Sequence, residues 1–119
     1  MVTLDLGGAS PPSDQIHQQL RGLIMAGRIA PGERLPTVRQ LSRDLGVAPG
    51  TVAKAYKLLE SERFVQARAR GGTIVSASPR GLPAEVLKPA RELHDAAVRN
   101  ELTLQDAITV LMGLWTNRN

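Results

Sequence analysis

Thr37, Arg39, Thr51, Lys54, Arg68 and Arg70 are the residues of this 119-residue chain best suited to act on a partner. Guanidinium and ammonium groups neutralise phosphates, hydroxyls hydrogen-bond phosphate oxygens, and both kinds reach base edges. Catalytic alternatives are weaker. Cysteine is absent, which removes thiolate nucleophiles, disulfides and thiolate metal sites. Ser13, Asp14 and His17 fall on one helix end, where a cap explains the first two better than a triad does. His17 beside Ile16 and His94 beside Leu93 read as structural residues, and no His/carboxylate cluster has ligand spacing. Gly71-Gly72-Thr73 is too short for a phosphate-binding loop and reads as a turn. The chain is therefore expected to be no enzyme and to hold no metal or cofactor.

The elements that position these residues centre on Leu35–Leu59, LPTVRQLSRDLGVAPGTVAKAYKLL. Apolar residues at Val38, Leu41 and Leu45, then at Val52, Ala55, Tyr56 and Leu59, follow the helical period. A helix over Val38–Leu45 is expected behind Thr37 as N-cap, with Arg39, Gln40 and Arg43 on its polar face. Gly46-Val47 make a turn, Val47 plugging the space between the helices. A second helix begins near Pro49, with Thr51 and Lys54 outward. This is the helix-turn-helix pattern, whose second helix enters the major groove. Gly50 leaves the first turn with little bulk, so its backbone can approach a phosphate.

Around this centre, Met1–Pro11 reads as a loose arm because of Gly7, Gly8, Pro11 and Pro12. A helix is expected from Pro12 or Ser13 to Gly27, with Ile16, Leu20, Leu23 and Ile24 as its apolar stripe. Arg28–Pro36 is a connector, with a turn at Pro31-Gly32. Beyond Glu62 the period becomes extended: Phe64–Ala69 and Thr73–Ser76 predict a hairpin around Arg70-Gly71-Gly72, a basic wing. After the ASPRG linker, a helix is expected from about Pro83 to Asn100, kinked at Pro89 or starting later at Lys88. Another runs from Leu104 to Trp115, capped by Thr103 with Asp106. The apolar stripe of this last helix is too wide for one neighbour. The expected fold is thus mostly α with a small β wing (α+β): an arm (1–11), a winged helix-turn-helix (12–78), and a linker with a two-helix hairpin (79–119). The hairpin is expected to dimerise through Leu93, Ala97, Leu104, Ile108, Leu111, Met112 and Trp115.

Charge divides along the same line. Residues 1–80 hold eleven Lys/Arg and six Asp/Glu, and residues 81–119 hold four and five. The positive charge belongs to the helix-turn-helix and wing, as a polyanion-binding part requires. No apolar run approaches the length of a membrane span, and no signal-like segment opens the sequence, so a cytoplasmic location without membrane contact is expected.

RIAPGERLPTVRQLSRDLGVAPGTVAKAYKLLESERFV followed by RGGTIV resembles the winged-helix domain of the GntR family of bacterial transcription regulators. The PG-x-RLP connector, the LG-V turn, the TV-x-KAY helix and the GT-hydrophobic strand occur in order over residues 11–76. The short two-helix tail resembles the YtrA subfamily. The resemblance implies DNA contact by Arg39 from the first helix of the motif. It implies contact by Pro49, Gly50, Thr51 and Lys54 at the groove, and by Arg70, Gly71 and Gly72 at the wing tip. Thr37 and Arg68 join this candidate set. The chain departs from the family pattern at Pro49-Gly50, at Arg63, and in the Arg70-Gly71 order. More of the reading then falls to Arg39, Lys54 and the wing.

The expected function is a dimeric, sequence-specific DNA-binding regulator. It would be a repressor at a pseudo-palindromic double-stranded operator, with a transporter operon as one candidate target. Two alternatives stay open: a sensor holding a small-molecule effector at the tail interface, and a winged-helix protein-interaction module that does not bind DNA.

Overall fold

A computed structural model describes residues 3–68, 72–77 and 83–115. The element order is α1 (Pro12–Met25), α2 (Val38–Leu45), α3 (Pro49–Ser61), β1 (Val65–Arg68), β2 (Gly72–Val75), α4 (Ala84–Arg99) and α5 (Leu104–Trp115). These fall into two units, Met1–Gly81 and Leu82–Asn119.

In the first unit α1 packs on α3, and α2 on α3. The helical stripe of α1 delivers Ile16, Leu20 and Ile24 into a core closed by Leu35, Leu41, Val52, Leu59, Phe64 and Val75. Helix α1 ends two residues earlier than its pattern suggested, in a Schellman motif: Arg28 N–H donates to the Leu23 carbonyl at 2.8 Å, around Gly27 at φ 75°. Helix α2 has the expected start. Thr37 Oγ1 accepts from Gln40 N–H at 3.0 Å, and Gln40 Oε1 accepts from Thr37 N–H at 2.9 Å, a complete capping box. Gly46, at φ 69°, turns the chain out of α2. Val47 is only half-buried rather than fully enclosed.

Two further findings differ from the sequence reading, and a third gives His17 the structural place expected of it. Residues 3–10 lack regular structure but lie against the first unit: Leu4 and Leu6 pack on its core, and Asp5 N–H donates to Gln19 Oε1 at 2.9 Å. Alternating Leu4 and Leu6 carry enough apolar surface to hold the segment in spite of its glycines. The connector is also more than a turn. Ala30–Glu33 is a β-turn with Gly32 at φ 83°, and the chain then pairs with β2. Leu35 N–H donates to the Thr73 carbonyl, Val75 N–H to Glu33 and Gly32 N–H to Val75, and Arg34 bridges Ile74. The wing sheet therefore gains a third edge. Finally, His17 is buried, with Nε2 2.6 Å from Glu62 Oε1, tying α1 to the end of α3.

In the second unit α4 is continuous from Ala84 through Pro89, so it starts four residues before Lys88. Proline costs α4 one bond to the Glu85 carbonyl, in its second turn. Helix α5 has its own capping box: Asp106 N–H donates to Thr103 Oγ1 at 3.1 Å and Thr103 N–H to Asp106 Oδ2 at 2.9 Å. Ala97 is the buried residue of this unit among those described.

Candidate nucleic-acid interface

The recognition surface is organised by α3. Its buried face holds Val52, Ala55, Tyr56 and Leu59. The opposite line, Gly50, Lys54, Lys57 and Ser61, is exposed throughout, at the i, i+4, i+7, i+11 spacing of one helix face. Thr51 is half-buried at the side of this line, so it is less outward than its sequence position suggested. Lys57 was missed by the sequence reading. The signal was available, because Lys57 follows Lys54 by three residues and the two share a face.

No side chain caps α3; Pro49 fills its first position, where a missing N–H is harmless. At Gly50 nothing lies within 4 Å of where a Cβ would stand, so the backbone there is open to a ligand. Ala48 and Pro49 are exposed beside it.

Helix α2 presents Arg39, exposed two residues past the cap. The Thr37 hydroxyl accepts from the helix, which leaves its own proton free to donate. The approach of α2 to α3 is fixed by Tyr56, whose O–H donates to the Pro36 carbonyl at 2.6 Å. Burial holds the phenol well above its usual pKa, so it stays a donor.

The hairpin pairs Val65 with Val75, Gln66 with Ile74, Ala67 with Thr73 and Arg68 with Gly72. Val65, Ala67 and Thr73 line a small cleft with Ala53, Tyr56 and Lys57 of α3. Gln66, Arg68 and Ile74 lie on the other face, where Arg68 donates to Gln66 Oε1 at 3.2 Å. Gly72, at φ 72°, adopts a backbone that glycine tolerates best. Arg70 and Gly71 lie outside the described residues. The start of the hairpin is held by Arg21 of α1, 5.6 Å above the Phe64 ring.

Arg39, Lys54 and Lys57 form no salt bridge among the described residues. Their charge is uncancelled by partners, which gives this side of the unit a positive potential.

A sequence model of the gntR family of bacterial regulatory proteins matches residues 12–75. This chain belongs to the GntR family. It is 40% identical, over 92% of its length and 90% of the other, to the HTH-type transcriptional regulator Rv1152 of Mycobacterium tuberculosis. Among solved structures it resembles YtrA from Sulfolobus acidocaldarius, a GntR-family transcription factor. That match has 28% identity, a TM-score of 0.58 and 99% of both chains covered, so it includes the tail. It also resembles AraR(DBD) in complex with operator ORR3, at 28% identity and a TM-score of 0.53, over 62% of this chain and 95% of that one. The chain is thus a YtrA-like GntR protein: a winged-helix, DNA-binding transcriptional regulator. Among the described residues no helix is long and apolar enough to cross a membrane.

In this GntR protein the candidates Thr37, Arg39, Pro49, Gly50, Lys54, Arg68 and Gly72 are all exposed, and Thr51 half so. The tail candidates divide. Leu93 is half-buried and Ala97 buried within the α4–α5 hairpin, while Leu104, Ile108, Leu111, Met112 and Trp115 are exposed. Leu93, Ala97, Leu104, Ile108 and Leu111 line one apolar groove of about 470 Å³.

Proposed function

We propose that this GntR protein is a homodimeric repressor of a pseudo-palindromic operator. The observation that carries the reading is the unpaired cationic line of α3, Lys54 and Lys57 above an open Gly50, flanked by Arg39 and the wing. In this reading the start of α3 enters the major groove. With no large side chain at Pro49 or Gly50, its first turn serves the phosphate backbone through its amides. Arg39 and Lys54 supply base and phosphate contacts, Lys57 and Arg68 neutralise backbone, and Thr37 and Thr51 donate to phosphates.

The tail supports dimerisation. Leu104, Ala107, Ile108, Leu111, Met112, Leu114, Trp115 and Val110 cover more than half the circumference of α5 at 100° per residue. α4 covers one part of that arc. A second copy, bringing its own α4–α5 pair, supplies apolar surface for the rest in a four-helix arrangement. Half-sites then lie about one helical turn apart, or a multiple of it.

Selection from a random-sequence duplex library, followed by fluorescence-anisotropy titration of the selected site in increasing salt, tests the reading. About six phosphate contacts per dimer give a log–log slope near −5. A slope near zero, or no enriched sequence, would sink it. Placing the selected site in a reporter promoter tests repression: reporter output should fall when the protein is expressed. A small-molecule effector acting through the tail would enter the same apolar groove, and it would be seen as a thermal shift that vanishes in Leu111→Asp.

A further inference from the structure

We infer that the outer face of the wing is a second DNA-backbone surface, on which Arg34 grips duplex lying beyond the half-site. This rests on the DNA-binding reading above. The wing sheet has two faces. Its inner face, with Val65, Ala67 and Thr73, looks onto α3. Its outer face carries Arg34, Ile74 and Gln66 in one cross-strand row, because Arg34 and Gln66 both pair with Ile74 and paired residues share a side. Arg68 and Gly72 form the next row toward the tip.

Arg34 also borders a shallow surface cleft with Gln40, Arg43 and Asp44 of α2, where a second cation and one carboxylate stand near it. Arg34, Gln66 and Arg68 are exposed donors, and no paired position on the outer face is acidic. Glu33 and Leu35 alternate to the other side. The Glu33 carboxylate already accepts the Ala30 N–H at 3.0 Å. Arg34 makes no salt bridge and lies two residues before the Pro36 carbonyl that Tyr56 anchors, so its strand is held rigidly. Gly72, at the tip end of this face, has nothing within 4 Å of a Cβ position, which lets a sugar–phosphate chain come close to the sheet there.

The topology says which DNA this is. With α3 in the major groove and the wing tip on the adjacent backbone, the inner face looks back at the half-site. The outer face looks away from α3, toward the flanking base pairs. A duplex that continues past the tip meets Arg34 and Arg68 there. Such contacts are sequence-independent and lengthen the footprint without changing the bases read.

The test uses the full chain and the duplex selected above, in two lengths: trimmed to its half-sites, and extended by about ten base pairs on each side. Wild type is expected to bind the long duplex more tightly and with the steeper salt dependence. Arg34→Ala should flatten the long-duplex slope by about two per dimer, one phosphate per subunit, and leave the short duplex unchanged. Arg34→Lys should restore most of the slope, because a phosphate contact needs charge rather than a fork. The base preferences of all three proteins should be the same. An Arg34→Ala slope equal to wild type on the long duplex would overturn the inference, and so would an equal loss on both lengths. If wild type bound neither duplex, the DNA-binding reading would fall first; if wild type bound and Arg34 were silent, only this inference would.

Discussion

In the Met1–Gly81 unit Ile16, Leu20, Val52, Leu59 and Val75 have no exposed surface, whereas in the Leu82–Asn119 unit Leu104, Leu114 and Trp115 are 77%, 69% and 61% exposed. The contrast extends to charge: the closed unit carries the excess of arginine and lysine, and the open one is nearly balanced. A unit that has buried its apolar side chains can devote its surface to a polyanion. A two-helix hairpin cannot enclose a core, so its apolar residues stay at the surface, where the proposed second copy would cover them. The two halves thus use their hydrophobic residues differently: one encloses them in its own core, and the other leaves them at its surface.

The comparison breaks most sharply under core truncation. Leu20→Ala should cost about 2–5 kcal/mol in urea unfolding, because Leu20 is enclosed by the core and the cavity cannot collapse fully. That loss should be independent of protein concentration. Leu111→Asp in the tail should instead leave the unfolding of the first unit unchanged and weaken self-association more than tenfold by sedimentation. Trp115, the only tryptophan, reports this directly. Its emission should shift to the blue as the wild-type concentration rises and should stay red in Leu111→Asp. An unchanged association constant would remove the assembly half of the contrast.

Next in size is Tyr56→Phe, which leaves the Pro36 carbonyl without its 2.6 Å donor. A loss of about 1–3 kcal/mol is expected. The same change should weaken operator binding beyond what stability explains, since Tyr56 sets α2 against α3. Equal operator affinity at full folding would mean that Thr37 and Arg39 are positioned by other contacts.

A smaller effect sharpens the comparison through helix ends. Helices α1, α3 and α4 all close in the same way, with a residue at positive φ and a 6→1 bond: Arg28 to Leu23, Phe64 to Leu59, and Leu102 to Ala97. Only the first uses glycine at the left-handed position. Arg63 stands there at φ 68° and Glu101 at φ 57°. Arg63→Gly and Glu101→Gly should each stabilise by about 0.5–1 kcal/mol, after the glycine's greater unfolded-state entropy is subtracted. The gain should appear in the first unit's transition for Arg63→Gly and in Trp115 fluorescence for Glu101→Gly.

What the sequence could show follows from how local each feature is. Helix α2 with its Thr37 cap, the turn at Gly46 and the Thr103–Asp106 start of α5 were readable because their signals lie within a few residues of one another. The third edge of the wing was not. Arg34 pairs with Ile74, forty residues away, and nothing in RIAPGERLP alternates strongly enough to announce a strand. The packed arm was hidden for the same reason, since Leu4 and Leu6 find their partners only after α1 has formed. At the candidate interface Lys57 could have been found by period, but the sideways placement of Thr51 depends on where the rest of α3 is buried.

The smallest expected effect concerns Asp106. Its bonds to the Thr103 backbone amide, and then to the Thr103 hydroxyl, lower its pKa below the ordinary 3.8. A depressed carboxylate stabilises the folded form above its unfolded value, and that contribution is lost as pH falls through the lower folded value. Helix α5 should therefore be held best from about pH 5 upward and lose this part of its cap below about pH 4. Asp106→Asn keeps an acceptor for Thr103 N–H but carries no charge to titrate or to meet the helix N-terminus. Melting followed through Trp115 should show wild type ahead of Asp106→Asn near pH 6, with the gap closing as the pH drops toward 3. The first unit's melting should show no such difference between the two proteins. A gap that stayed constant with pH would mean the cap works through geometry alone. A gap appearing in both units would mean that the two do not respond to acid separately.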